Sequence, residues 1–182
     1  MSATVHTEPR KLLRMSPSWW LACMTISLMS LTMSGAAHAS AFKGLVDPEG
    51  EPASLSNTIG NGKWTLVMVW ATDCHLCTEQ KPKISAFYNE HKDDDANVVG
   101  IAIDGPKKLK LVREYLAKHK PTFPNYVADI RTLGLTYQNL TEEQFRGTPT
   151  YLLFDPSGEL KGNNPGPVTV AGVEKFIASH SK

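Results

Sequence analysis

Two short apolar runs mark the centre of the chain. Trp64 to Trp70 reads WTLVMVW, and Val98 to Ile103 reads VVGIAI. Short runs rich in β-branched and aromatic residues are typical of strands that are buried on both faces of a sheet. The segment between the runs repeats a set of side chains at helical spacing: Leu76, Gln80, Ile84, Phe87 and Tyr88. The pattern therefore predicts strand, helix and strand in that order, with a bend in the helix at Pro82.

The alternation continues towards the end of the chain. A second helix is predicted where Leu109, Val112 and Leu116 fall on one side, followed by a short strand in NYVAD and a helix from about 131 to 139. TYLLFD and ELKG, separated by a PSG turn, predict a hairpin of two strands. A last helix is predicted to start after Thr169 as its N-cap and to bury four apolar residues, Val170, Val173, Phe176 and Ile177. This order predicts an α/β fold with helices on both faces of the sheet.

The first 39 residues differ from the rest of the chain. A basic stretch that ends at Arg14 is followed by no charged residue until Lys43, and the gap contains WWLACMTISLMSLTM and then GAAHAS. These features are typical of a secretory signal peptide, here with cleavage after Ala39. The uncharged run is also long enough to span a bilayer, so an uncleaved signal anchor is the alternative. A lipid-attachment site at Cys23 is disfavoured because most of the apolar run follows that residue. Export is predicted in each case.

Residues 40–182 are predicted to form one domain. The domain opens with AFKGLVDPEGEPASLS, where a DPEG turn between short apolar segments predicts an N-terminal β-hairpin extension. Without the first 39 residues the chain carries 16 basic and 17 acidic residues, a net charge of −1. We therefore predict no nucleic-acid partner, since such binding requires a basic surface that neutralises phosphates.

Cysteine usage directs attention to one motif, WATDCHLC. This segment contains Cys74 and Cys77, and the chain's one other cysteine, Cys23, lies in the N-terminal segment. A C-x-x-C that follows a buried strand and opens a helix places its first cysteine at the helix N-terminus. Thiols there ionise easily, with pKa values of about 3.5 to 7.5 against roughly 8.5 for a free cysteine. The predicted chemistry is attack of a Cys74 thiolate on a disulfide, followed by attack of Cys77 on the mixed disulfide.

Three other uses of the pair are less compatible with the sequence. The loop between the cysteines is too small to stabilise a secreted scaffold as a structural bridge. Structural zinc needs about four ligands, and the six histidines supply no paired spacing that would complete the C-x-x-C, so no metal is predicted. A peroxidase would carry a threonine three residues before its reactive cysteine, whereas Thr72 lies two before Cys74.

Four motifs, WATDCHLCTEQKP, VVGIAID, FPNYVAD and GTPTYLLFDPSGEL, occur in an order that resembles the exported thioredoxin-like proteins of the TlpA and ResA type. The resemblance covers nearly all of residues 42–180. It implies a thioredoxin-like fold with a central mixed β-sheet, and a protein-disulfide reductase whose cofactor is its own Cys74–Cys77 disulfide. It also implies a periplasmic location, exported cysteine-containing clients, and a membrane thiol electron donor of the DsbD/CcdA type.

The resemblance also implies roles for residues around the cysteines. Thr148-Pro149 matches the position of the family's cis-proline loop, where Thr148 would offer backbone groups to an extended client segment. Trp70 would pack beneath the cysteine pair. Two positions depart from the family pattern, because Asp73 stands where a Trp is common and Gln80 where a Glu is thought to move protons.

The remaining residues predicted to tune the site are His75 and Leu76, which lie between the cysteines. Asp73 raises the pKa of a neighbouring thiol unless a protonated His75 offsets its charge. The alternative is that Asp73 caps the helix and His75 faces solvent. The sequence therefore leaves two further functions open. One is a dithiol oxidase or isomerase, and the other is a non-enzymatic thioredoxin-fold protein that binds Cu(I) or a partner.

Overall fold

The computed structural model describes residues 41–181, and within that range seven strands form one sheet. In chain order they are β1 (Leu45–Val46), β2 (Pro52–Ala53), β3 (Trp64–Trp70), β4 (Ala96–Ala102), β5 (Asn125–Val127), β6 (Thr150–Phe154) and β7 (Leu160–Pro165). The helices of the same range are α1 (His75–His91), α2 (Leu109–His119), α3 (Ile130–Thr141) and α4 (Val170–His180), with a 3-10 turn at Pro106–Lys108. The predicted order of strands and helices is confirmed.

The sheet is mixed, and β3 lies at its centre. The strand order is β2-β1-β5-β4-β3-β6-β7. β3, β4 and β5 are parallel and are connected through α1 and α2, whereas β6 runs antiparallel to β3 and pairs with β7 as a hairpin. Because every residue of β3 is buried, this strand has the continuous apolar sequence that a strand covered on both faces requires. The C-terminal end of β3 leads directly into the segment that carries the cysteines.

Helices cover both faces of the sheet. On one face, α1, α2 and α4 bury apolar side chains against the even-numbered residues of β3, such as Leu66 and Met68. On the other face, Leu133 and Tyr137 of α3 and the segment from Phe42 to Ile59 pack against odd-numbered residues such as Val67. Alternate residues of a strand point to opposite faces, so a single run supplies both cores. The predicted α/β architecture is confirmed.

The buried face of α1 differs from the prediction. The buried residues are Cys77, Gln80, Lys81, Ile84 and Phe87. Leu76 was predicted to lie on this face and is 48% exposed, so that part of the prediction is wrong. Gln80, Ile84 and Phe87 are buried as predicted, and Cys77 and Lys81 lie on this face where Leu76 was expected. Pro82 lies within the helix on its exposed side.

At the N-terminal edge of the sheet, β1 and β2 pair antiparallel around a turn that Asp47 closes. The Asp47 carboxylate accepts hydrogen bonds from the backbone N–H groups of Glu49, Gly50 and Glu51 at 2.9–3.0 Å. β1 also pairs with β5 at Val46, so the turn belongs to the main sheet. The signal peptide or anchor predicted for residues 1–39 lies outside the described residues. Within the described range, no helix is long and apolar enough to cross a membrane.

Candidate active site

The two cysteines form a disulfide at the start of α1. Cys74 and Cys77 have Cα atoms 5.3 Å apart. Cys74 is the N-cap of the helix, and its sulfur accepts a hydrogen bond from the backbone N–H of Cys77 at 3.1 Å. The alternative in which Asp73 caps the helix is wrong, because the Cys74 sulfur occupies the position that a capping oxygen would take. A thiolate at this sulfur would be stabilised by the helix N-terminus.

Exposure distinguishes the two sulfurs. Cys77 is fully buried, whereas Cys74 is only partly buried and lies at the edge of the core cluster that contains Cys77. An incoming disulfide therefore meets Cys74 first. The geometry thus separates a sulfur that solvent can reach from one that it cannot.

Thr72 is hydrogen-bonded to Asp104, which follows the neighbouring strand β4. Its backbone N–H and its hydroxyl both donate to the carboxylate of Asp104, at 3.1 and 2.5 Å respectively. These bonds fix the loop between β3 and the cysteines against the loop that follows β4. They also commit the Thr72 hydroxyl to Asp104, which leaves that O–H unable to donate to Cys74 as a peroxidase mechanism would require.

Trp70 is the largest side chain that supports the site. It is completely buried at the C-terminal end of β3, and its Nε1–H donates to Asn125 Oδ1 on β5 at 3.0 Å. Its ring lies 4.9 Å from the ring of Tyr115 on α2. Between β3 and β5, Gly100 of β4 leaves room for this hydrogen bond, because a Cβ at that position would collide with Asn125 Oδ1 and lie 3.0 Å from Trp70 Nε1.

Gln80 is buried and accepts two hydrogen bonds. Its Oε1 accepts from the hydroxyl of Tyr151 at 3.2 Å and from the backbone N–H of Val168 at 3.1 Å. Burial raises the pKa of Tyr151, so its hydroxyl stays protonated and can donate. Gln80 thus links α1 to β6 and to the segment before α4. At the position where the resemblance implies a Glu that moves protons, this chain therefore has a Gln whose hydrogen bonds hold α1, β6 and the segment before α4 together.

The residues between the cysteines face solvent. His75 has a side chain that is 85% exposed, and its Nδ1 lies 3.6 Å from a carboxylate oxygen of Glu79. Leu76 is 48% exposed. Of the two arrangements that the sequence left open for His75, the structure has the solvent-facing one. Leu76 instead provides an apolar surface beside the disulfide.

The predicted client-binding loop lies at the same end of the sheet as the cysteines. The peptide bond between Thr148 and Pro149 is cis. Thr150 pairs with Val69, and β6 runs antiparallel to β3, so Pro149 comes at the level of Trp70. Pro149 is buried and Thr148 is partly exposed. Thr148 is therefore accessible next to the strand end from which the cysteine segment starts, and its contact with a client remains a prediction.

Sequence reasoning missed three residues of the site, and the most unusual is Lys81. Lys81 is 2% exposed, and its Nζ lies 3.4 Å from the ring centroid of Trp70 and 4.8 Å from that of Tyr115. The sequence did contain a signal for the burial of Lys81. Position 81 lies four residues after Cys77 and three before Ile84, so all three side chains fall on one face of the helix. Asn125 and Tyr115 gave no comparable signal, since both lie in segments that were predicted only as a strand and a helix.

The described residues contain one group of three potential metal ligands whose ligand atoms lie within 4.8 Å of one another. It consists of Glu90, His91 and Glu174. Glu90 and His91 lie at the C-terminal end of α1, 13 and 14 positions along the helix from Cys77, which corresponds to about 20 Å. Glu174 lies on α4 and faces them from there. The group is therefore separate from the cysteine site.

The sheet, the cis-proline and the N-capping cysteine define a thioredoxin-fold protein with a C-x-x-C disulfide. The fold is also that of a thiol:disulfide interchange protein of the thioredoxin family from Chlorobium tepidum TLS. That structure superposes with a TM-score of 0.62 over 74% of this chain and 89% of its own, at 24% identity.

The chain belongs to the AhpC/TSA family, whose match covers residues 36–162. It is 25% identical over 129 residues to sporulation thiol-disulfide oxidoreductase A of Bacillus subtilis, which covers 70% of this chain and 73% of the relative. It is 24% identical over 122 residues to the thiol-disulfide oxidoreductase ResA of Oceanobacillus iheyensis, over 64% of this chain and 56% of the relative. The predicted resemblance to ResA-type proteins is confirmed.

Proposed function

We propose that this protein is a thiol–disulfide oxidoreductase that reduces disulfides in exported client proteins. The observation that carries this proposal is the pairing of a partly exposed Cys74, whose sulfur caps α1, with a fully buried Cys77 one turn further on. The relatives named as thiol-disulfide oxidoreductases support the same class of reaction.

The reaction takes two steps. The Cys74 thiolate attacks a client disulfide and releases one client thiol, leaving a mixed disulfide between Cys74 and the client. Cys77 then attacks the Cys74 sulfur, so that the Cys74–Cys77 bond forms and the second client thiol leaves. Two electrons pass from the cysteine pair to the client. A membrane thiol donor of the DsbD/CcdA type would restore the dithiol.

The proposed compartment is the periplasm. The basic and apolar features of residues 1–39 support export, with the segment acting as a cleaved signal or as an anchor. In an oxidising compartment a reductase needs a dedicated electron supply. Thr148, beside Pro149, is the proposed backbone contact for an extended client segment.

Trapping of clients tests the proposal. In the Cys77→Ser variant the resolving thiol is gone, so we expect mixed disulfides between Cys74 and clients to accumulate, visible as reducible higher bands on non-reducing gels of the exported fraction. Cys74→Ser is the matched control and should trap nothing. The wild-type chain should also accelerate the reduction of insulin disulfides by dithiothreitol. A Cys74→Ser variant with full activity in that assay would overturn the proposal.

A further inference from the structure

Lys81 is a buried basic side chain that the two steps above do not use. Among the described residues, no hydrogen-bond acceptor reaches its Nζ. An ammonium group in such a place is poorly solvated, so the neutral amine is favoured. Burial lowers the pKa of Lys81 to about 7, against a smaller opposing effect of the Asp104 carboxylate. A group that titrates there can both accept and release a proton at neutral pH.

The backbone places Lys81 beside Cys77. The two residues are four positions apart on α1, and side chains at this spacing are neighbours, with about 5–6 Å between their Cβ atoms. Helical side chains also lean towards the N-terminus, so Lys81 extends over the turn that holds Cys77. Its Nζ ends above Trp70, which lies in the same core cluster as Cys77.

We propose that the Lys81 amine exchanges a proton with the Cys77 thiol in the second step of disulfide exchange. This inference rests on the proposed function and adds a proton acceptor to it. In this structure the Cys77 sulfur is bonded to Cys74. Once Cys74 has formed a mixed disulfide that bond is absent, the Cys77 sulfur can rotate towards Lys81, and the neutral amine takes the proton of the Cys77 S–H group. The Cys77 thiolate attacks the Cys74 sulfur, the Cys74–Cys77 bond forms, and the bond from Cys74 to the client breaks. The electron pair leaves on the client sulfur, which takes a proton from water.

The same pair works in reverse when the disulfide is reduced again. An external thiol attacks Cys74, Cys77 leaves as a thiolate, and the Lys81 ammonium returns its proton to that sulfur. The protein interior thus keeps one proton shared between an amine and a thiol. Because the proton is shared, the Cys77 thiolate is never left without a proton donor at a position that solvent does not reach.

Other titratable groups lie on the elements packed around this part of α1. Asp104 after β4, and Tyr115 and His119 on α2, interact with Lys81 directly. Cys74 at the N-cap of α1, Cys77 on α1, and Tyr151 on β6, which binds the neighbouring Gln80, lie in the same core region. Burial raises the pKa of both tyrosines. Burial, followed by the charges of Lys118 and Lys81, lowers the pKa of His119, whose ring stacks on Tyr115 at 4.2 Å. His119 is therefore the second candidate for a proton acceptor, and the test must separate it from Lys81.

The experiment follows the reaction of the reduced full chain with one equivalent of 5,5′-dithiobis-(2-nitrobenzoic acid). The chain carries Cys23→Ser throughout, so that Cys74 and Cys77 are its cysteines. Attack by Cys74 releases a first thionitrobenzoate, and attack by Cys77 on the mixed disulfide releases a second. Stopped-flow absorbance from pH 5 to pH 9 separates the two phases, of which the second reports on Cys77.

In Lys81→Met we expect the second phase to slow at least about ten-fold at pH 7 and its pH midpoint to move upward, with the first phase within about two-fold of wild type. Lys83→Met removes the same charge from an exposed position of α1 and should leave both phases unchanged. His119→Asn should keep the wild-type pH profile.

Two results would overturn this inference, and they differ in what they say about the proposed function. A Lys81→Met chain whose second phase keeps the wild-type rate and pH profile overturns the role of Lys81 alone. A wild-type chain with no first phase overturns both proposals, because Cys74 would then not be a nucleophile.

Discussion

At the scale of single residues, the site depends on polar side chains that are buried with defined partners. Gln80 is 6% exposed and its oxygen holds the Tyr151 hydroxyl and the Val168 N–H together. Gln80 Oε1 is the acceptor on α1 for both of these donors. Because buried donors without an acceptor are costly, the contribution of Gln80 to stability should be measurable separately from any effect on redox chemistry.

Replacing Gln80 by Ala should therefore destabilise the oxidised protein. We expect the free energy of unfolding to fall by about 1–3 kcal/mol, because the buried Tyr151 hydroxyl and the partly buried Val168 N–H lose their acceptor. Urea denaturation followed by circular dichroism measures the change. Glu79→Ala is the neighbouring control, since its side chain is 58% exposed, and should change stability by less than about 0.5 kcal/mol. Equal effects of the two variants would contradict the role given to Gln80.

The sequence predicted some residues of the site and missed others for physical reasons. Cys74 and Cys77 were found because a C-x-x-C after a buried strand is chemically distinctive, and Pro149 was found through the resemblance to the family's cis-proline loop. Lys81 was missed because a lysine on a helix is normally a solvent-facing residue, and Leu76 was placed in the core because it is apolar. The spacing from Cys77 would have corrected both assignments, since Cys77 is the residue that must be buried.

At the scale of secondary-structure elements, the runs WTLVMVW and TYLLF predicted their strands well because strands buried on both faces leave a continuous apolar signal. The contacts between strands were not predictable in this way. The hydrogen bond from Trp70 to Asn125 crosses β4, and it is possible only because position 100 has no side chain. A glycine inside a strand indicates such a close approach, but the sequence does not identify the groups that meet there.

Two glycine substitutions should have opposite effects. Gly100→Ala should destabilise the protein by about 1–3 kcal/mol, because the methyl group displaces the Asn125 amide and breaks its buried bond to Trp70. Gly134→Ala in α3 should stabilise it by about 0.5–1 kcal/mol, since the helix gains a better former and the new Cβ meets its nearest neighbour, Phe145, at 4.0 Å. Thermal unfolding followed by tryptophan fluorescence measures the stability change of each variant. Destabilisation by Gly134→Ala that equals that of Gly100→Ala would contradict this account.

At the scale of the whole molecule, Lys81 connects stability to pH. Its pKa falls from 10.5 to about 7 on folding, mainly through burial. Between these values the unfolded chain binds a proton at Lys81 that the folded protein does not bind. Stability therefore rises as the pH increases through that window, by up to about 1.4 kcal/mol per pH unit.

Comparison of wild type with Lys81→Met isolates this effect. We expect the stability of the wild-type oxidised protein, relative to the variant, to increase from pH 7 to pH 10. The measurement is urea denaturation at each pH, with Lys83→Met as the control for an exposed lysine of the same helix. A wild-type stability that runs parallel to that of Lys81→Met over this range would show that Lys81 stays protonated in the folded state.

The central claim is that Cys74 and Cys77 form a reducing pair. The equilibrium reduction potential of this pair tests that claim most directly, measured on the Cys23→Ser chain against a glutathione or dithiothreitol redox series. The account predicts a value near that of thioredoxin, about −270 mV, which would allow the dithiol to reduce client disulfides. A value near the strongly oxidising end, about −120 mV, would contradict it, because electrons would then flow from clients to the protein.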